Sequence, residues 1–107
     1  MDVTPRIEEG LNIIHSYADG CITVGGTTYE APVIITAQDI VQGTDLSELP
    51  RAEVLLVASN NPLPAEEFMS YKKQADGMEV MKLDSACRTY NVLLAEGRKV
   101  TLFLIKS

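Results

Sequence analysis

Residues 53–58 read EVLLVA, and the five side chains after Glu53 are all aliphatic. A strand with one wet face alternates apolar and polar side chains, whereas an unbroken run marks a strand covered on both faces. Such a strand needs a layer of helix or sheet on each side. The sequence that follows supplies candidates. SNNPLP at 59–64 breaks the strand, and Pro64 suits a first helical position, where its missing N–H costs nothing. Glu66 and Glu67 fall in the first turn and Lys72 and Lys73 in the last, matching the helix dipole. Ala65, Phe68, Met69 and Ala75 form the apolar stripe of this helix, with Gly77 as its stop. MEVMKL at 78–83 reads as a second strand, and ACRTYNVLLAE at 86–96 as a second helix stopped by Gly97. KVTLFLI at 99–105 reads as a third strand. This β-α-β-α-β pattern over 53–105 predicts parallel strands. It places any ligand beyond their carboxyl ends, at the loops 59–64 and 84–86.

The preceding part has a different style. LNIIHSY, CITV, TTYE and VIIT are short strand-like runs separated by Asp19-Gly20, Gly25-Gly26 and Pro32. Asp19-Gly20 is a hairpin signal of type I′. Pro32, with no N–H for a ladder, belongs at an edge, a strand start or a bulge. Residues 11–36 therefore read as an antiparallel meander. Residues 37–52, interrupted by Gly43 and Pro50, read as a connector with at most one helical turn around Leu46–Leu49. The fold class is α/β, an N-terminal antiparallel meander joined to a β-α-β-α-β unit. A length of 107 residues suits a single domain over 1–107.

Nine basic against fifteen acidic residues give a net charge of −6, which repels phosphate backbones and anionic lipid surfaces. No apolar run has the length of a membrane span. The opening MDVTPRIEEG lacks the basic and apolar regions of an export signal. Cys21 and Cys87 form neither a CxxC pair nor a disulfide framework, so a cytoplasmic setting is expected. One histidine, His15, and two isolated cysteines give no metal-site spacing. No phosphate-binding or dinucleotide-binding glycine motif is present, so no cofactor is expected.

The chemistry concentrates in the second helix. Asp84 or Ser85 can cap it. Ala86, Cys87, Tyr90, Leu93 and Leu94 share one apolar face. Asn91 lies beside that face, and its amide needs a partner such as a loop backbone. Cys87 lies in the first turn next to Arg88, two features that favour a thiolate nucleophile. Free cysteine is also among the most buried residues, so packing is the default for Cys87, and for Cys21 in its alternating strand. Arg88 at a helix start can clamp a carboxylate or phosphate, or form a surface ion pair. Ser85, Thr89, Ser59, Asn60 and Asn61 can line the same rim, or serve as capping and turn residues. The apolar TLFLIKS at the end suggests a sheet edge that pairs weakly with a second copy, with Lys106 as a guard.

Three stretches, TVGGTTYEAPVII, EVLLVAS and above all ACRTYNVLLAEGR, resemble the MTH-type domains of unknown function. That family includes mitochondrial complex I assembly factor 3 and the adipogenesis-associated MTH-domain protein of animals. The resemblance covers most of the chain. It implies a hammerhead-like strand region joined to a mixed sheet with helices, and a pocket around Cys87, Arg88, Thr89 and Asn91. Ser59-Asn60-Asn61 stands where the family often has a glycine-rich turn, and the connector lacks the family's frequent aromatic residue. The family carries no established reaction. The resemblance implies a non-catalytic domain that binds a protein partner or a small anionic ligand. A thiol enzyme or redox protein using Cys87 with Arg88 is the alternative.

Overall fold

The computed structural model describes residues 10–47 and 49–106; the opening stretch 1–9 lies outside them. Strands β1 (Ile14–Ala18), β2 (Cys21–Val24) and β3 (Thr27–Glu30) form an antiparallel three-stranded sheet. The turn between β1 and β2 has two residues, since Ala18 pairs with Cys21. Only Gly20 there has a positive φ, and no described non-glycine residue does, so this is not the expected type I′ turn. Gly25 and Gly26, between β2 and β3, both have the positive φ that type I′ requires. Glycine adopts both angles at no steric cost.

The meander stops earlier than the spacing predicts. Strand β4 (Val33–Thr36) leaves the first sheet just after Pro32 and enters a second. That sheet has five strands in the order β5-β4-β8-β6-β7. Its members are β5 (Ile40–Gln42), inside the expected connector, β6 (Ala52–Ala58), β7 (Ala75–Met81) and β8 (Val100–Leu104). β6 runs parallel to both β7 and β8, while β4 runs antiparallel to β8 and to β5. The sheet is therefore mixed. β8 is bordered by β4 and β6, so it is not the edge that its apolar ending suggests. Among the described residues, Leu49 N–H donates to Leu46 O at 3.2 Å, a turn rather than a helix.

Both faces of the second sheet are covered, as the EVLLVA run requires. Val33, Ile35, Leu56, Ala58, Leu102 and Leu104 point to one side. There they pack with Ile14, Ile22 and Val24 of the first sheet and with helix α2 (Leu83–Ala95). Ile34, Leu55, Val57 and Phe103 point to the other side. Leu46 covers them there, with Leu49, Leu63 and Tyr71 packed alongside; Tyr71 belongs to helix α1 (Ala65–Lys72). The Tyr71 and Phe103 rings meet edge to face at 5.2 Å, an arrangement worth roughly 1 kcal/mol beyond its buried area.

Helix α1 is shorter than its stripe suggests. It ends at Lys72 with Lys73 as its cap, and Pro64 is the N-cap residue rather than the first helical one. Ala75 and Gly77 belong to β7, paired beside Ala52 and Val54, so Gly77 stops no helix. Pairing along β7 and burial of Ala75 outweigh about one more turn of a helix that buries no side chain fully. Met69 is exposed. Helix α2 ends as expected. Gly97 has φ +80°, its N–H donates to Leu94 O, and Arg98 N–H donates to Leu93 O, the paired bonds of a Schellman motif.

Candidate functional site

At the carboxyl ends of β6 and β8, where a parallel sheet would hold its ligand, the space is filled. Ser59 N–H donates to Met81 O at 2.9 Å. The Ser59 hydroxyl donates to Asn61 O at 2.7 Å and accepts from Asn61 N–H at 3.1 Å. It is spent on its own turn. The Asp19-Gly20 turn lies over Ala58, Ser59, Asn60, Leu83 and Leu104 and leaves a cavity of only about 20 Å³. That volume suits a water molecule rather than an organic ligand.

None of Ser85, Arg88, Thr89 and Asn91 lines this cavity. Helix α2 starts one to two residues earlier than the expected caps, with Lys82 as N-cap and no side-chain capping bond. Asp84 and Ser85 thus lie inside the first turn. Arg88 is exposed, 3.7 Å from the Asp84 carboxylate. Such an exposed pair contributes little to stability. Ser85 and Thr89 are half-buried and Asn60 is exposed. Cys87 is 3% exposed, packed in the α2 core. Burial, with a smaller contribution from Asp84, pushes its thiol from 9.0 up to about 12. The helix start and Arg88 do not offset that desolvation. Cys21 and Cys87 are both free thiols.

Asn91 has a definite partner. Its Oδ1 accepts from Ile14 N–H at 3.0 Å, and its Nδ2 donates to Ile14 O at 2.8 Å. The side-chain amide thus satisfies both backbone groups of one β1 residue, as a neighbouring strand would. Immediately before it in the chain, Tyr90 is fully buried and donates its hydroxyl to Asn12 O at 2.8 Å. Burial raises the phenol's pKa.

That second contact leads to the opposite end of the sheet. Asn12 donates through Nδ2 to Thr36 O at 3.0 Å and to Asp39 O at 3.3 Å, and through its backbone N–H to Ala37 O at 2.8 Å. The Thr36 hydroxyl accepts from Asp39 N–H at 2.9 Å and from Gln38 N–H at 3.3 Å. Segment 36–39 is thereby a fixed wall. It borders an open cleft of about 340 Å³ at the amino ends of β6 and β8, completed by 50–52 and 99–101. This volume falls in the range of small-molecule sites. Arg51 forms part of its lining and is itself held by three bonds. Nε donates to Asp76 Oδ1 at 2.8 Å, Nη1 to Lys73 O at 2.8 Å and Nη2 to Ala75 O at 3.0 Å. No cysteine or histidine lines the cleft, and Asp39 is its one carboxylate. Among the described residues no group of three His, Cys, Asp or Glu side chains could hold a metal ion.

Sequence reasoning misses this cleft. Thr36, Asp39, Arg51 and Lys99 come from three distant segments. The available signal is that Arg51 and Lys99 each immediately precede a strand, β6 and β8, which the fold makes neighbours.

A family model described as "Protein of unknown function (DUF498/DUF598)" matches residues 14–105. The chain belongs to this family. Among solved structures, it is similar to a Bordetella parapertussis protein, with 27% identity and a TM-score of 0.74, covering 92% of this chain and 98% of that one. It is also similar to a Bartonella henselae protein described as an outer membrane protein, with 26% identity, a TM-score of 0.71, and coverage of 90% and 95%. A Bordetella pertussis protein described as a Mth938-like domain shares the fold, with 20% identity, a TM-score of 0.69, and coverage of 98% and 92%. The MTH-type resemblance is thus correct at the level of domain and fold. No match was found among curated proteins. No helix among the described residues is long and apolar enough to cross a membrane.

Proposed function

We propose that this member of the family is a non-catalytic domain that binds a small ligand in the amino-end cleft. The observation that carries the reading is the cleft itself: about 340 Å³, walled by a hydrogen-bonded turn and a fixed arginine, with neither cysteine nor histidine and a single carboxylate, Asp39, in its lining. The resemblance to complex I assembly factor relatives suggests a domain working beside a larger protein, and the two free cysteines suit a reducing cytoplasmic setting. Arg88, 72% exposed at its side chain, would then belong to a separate contact surface with Ser85, Thr89 and Asn60. Burial of Cys87 and its raised pKa weigh against the thiol-enzyme alternative.

The test is a small-molecule screen by protein NMR, with the backbone amides of 36–39, 51–52 and 99–101 as reporters. Binding is expected to shift those resonances first. Ligands that shift only the amides around Ser59 and Arg88 would move the site to the other end of the sheet.

A further inference from the structure

We infer that the cleft selects small organic anions, a carboxylate on an apolar body, with Lys99 and Arg51 as the recognising cations. The inference rests on reading the cleft as a binding site and names the class of ligand it takes.

The hydrogen-bonding capacity of the lining carries the argument. A guanidinium has five N–H donors and an ammonium three, and neither accepts. Arg51 spends three donors on Asp76, Lys73 O and Ala75 O, which leaves two in a fork already fixed in place. A fork fixed before binding loses little freedom when it engages a carboxylate. Lys99 is exposed and makes no ion pair among the described residues. On the acceptor side, the Thr36 hydroxyl already accepts two N–H groups. The Thr101 side chain is buried, and the Asp39 carboxylate is the one anionic group in the lining. The surplus is in donors. Gln38 adds a side-chain amide that can both donate and accept, and the other lining residues, Ala37, Pro50, Ala52 and Val100, are apolar, which suits a hydrocarbon body beside the charged head. Arg51 is already paired with Asp76, so Lys99 is the cation that brings an unpaired positive charge to the cleft of a chain of net charge −6.

Three near-isosteric probes separate the outcomes: benzoate, benzamide and benzylamine, each titrated into the isotope-labelled chain with the cleft amides as reporters. Benzoate is expected to bind about tenfold more tightly than benzamide, the scale of one well-placed charged contact. Benzylamine is expected to be weakest. Lys99→Gln should remove most of the benzoate preference, and Asp39→Asn should strengthen benzoate binding by relieving like-charge repulsion. Equal affinity for benzoate and benzamide overturns the anionic class while leaving the cleft as a site. Tightest binding of benzylamine does the same, with Asp39 as the recognising group. An unchanged benzoate preference in Lys99→Gln overturns the role given to Lys99. If no probe moves the cleft amides, both this inference and the proposed site fail.

Discussion

Strands β6 and β8 lie side by side and parallel, yet their two ends are finished differently. At the carboxyl ends the β1–β2 turn and Ser59 leave about 20 Å³; at the amino ends the cleft is about 340 Å³. The difference comes from the strand beside them. β4 runs antiparallel to β8, with Thr36 beside Thr101, so β4 finishes where β8 begins. Its outgoing turn, 37–39, becomes a wall at the amino end. The rule that ligands sit beyond the carboxyl ends applies to sheets whose loops all emerge there. In a mixed sheet the antiparallel member delivers a loop to the opposite end. Here the first sheet also folds over the usual position and closes it.

The largest effect expected from this contrast is on thiol chemistry at the closed side. Cys87 should react with an alkylating reagent at least about a hundredfold more slowly in the folded chain than in urea, because reaction requires opening of the α2 core. Cys21, half-buried, provides an internal comparison. The Cys87 thiol, raised to about 12, also sets a pH dependence. The unfolded thiol ionises near 9 and the folded one near 12, so the unfolded state loses its proton first. The contribution to stability is intact below about pH 9 and is lost as pH rises toward 12. Cys87→Val should flatten that alkaline decline in urea-melting experiments. Fast labelling of Cys87 in the folded chain would show that the closed side opens, and would revive the thiol-enzyme alternative.

Asn91→Ala comes next. It leaves Ile14 N–H and C=O without the partners they have now. Each unsatisfied group costs about 1–3 kcal/mol when buried; Ile14 is buried but its two bonds to Asn91 are only partly so, and a total of about 2–3 kcal/mol is expected. The urea midpoint should fall, and β1 amides should exchange faster while those of β6 and β8 remain protected. A loss below about 0.5 kcal/mol would mean that apolar packing alone holds the first sheet in place.

Legibility follows the same division. EVLLVA declares a strand covered on both faces because its pattern is local, and both faces are indeed covered. Gly97 declares the end of α2 for the same reason. Asn91 shows from its position beside an apolar face that it needs a partner, but not that the partner is Ile14, 77 residues away. Gly77 looks like a helix stop because its pairing with Val54 lies outside any local window. The cleft is least legible, since its walls meet only through the antiparallel β4–β8 pairing, which periodicity does not encode. Arg88 presents the converse case. A cation at a helix start looks functional locally, and nothing local reveals what lies opposite it.

Tyr90→Phe tests the link between the two sides. It removes the bond to Asn12 O, at a cost of about 1 kcal/mol. Asn12 also holds Thr36, Ala37 and Asp39. The amides of 36–39 should therefore shift, and the cleft should lose part of its affinity for benzoate, although Tyr90 does not line it. A stability loss with no change at 36–39 would show that the wall stands without Asn12.

The smallest effect is expected at Arg88, and it tests the comparison most directly. Its side chain is 72% exposed, and its partner Asp84 is 3.7 Å away. Exposed pairs of this kind contribute between about 0 and 1 kcal/mol, with helix pairs near the lower half of that range. Arg88→Ala should therefore shift the urea midpoint by less than about 0.5 kcal/mol in free energy. It should also leave benzoate binding at the amino end unchanged, while Lys99→Gln, also a surface substitution, weakens it. Two exposed cations at different ends of the sheet would then differ only in what surrounds them. If Arg88→Ala weakens benzoate binding and Lys99→Gln does not, recognition belongs to the start of α2, where the family resemblance places it, and the amino-end cleft is not the site.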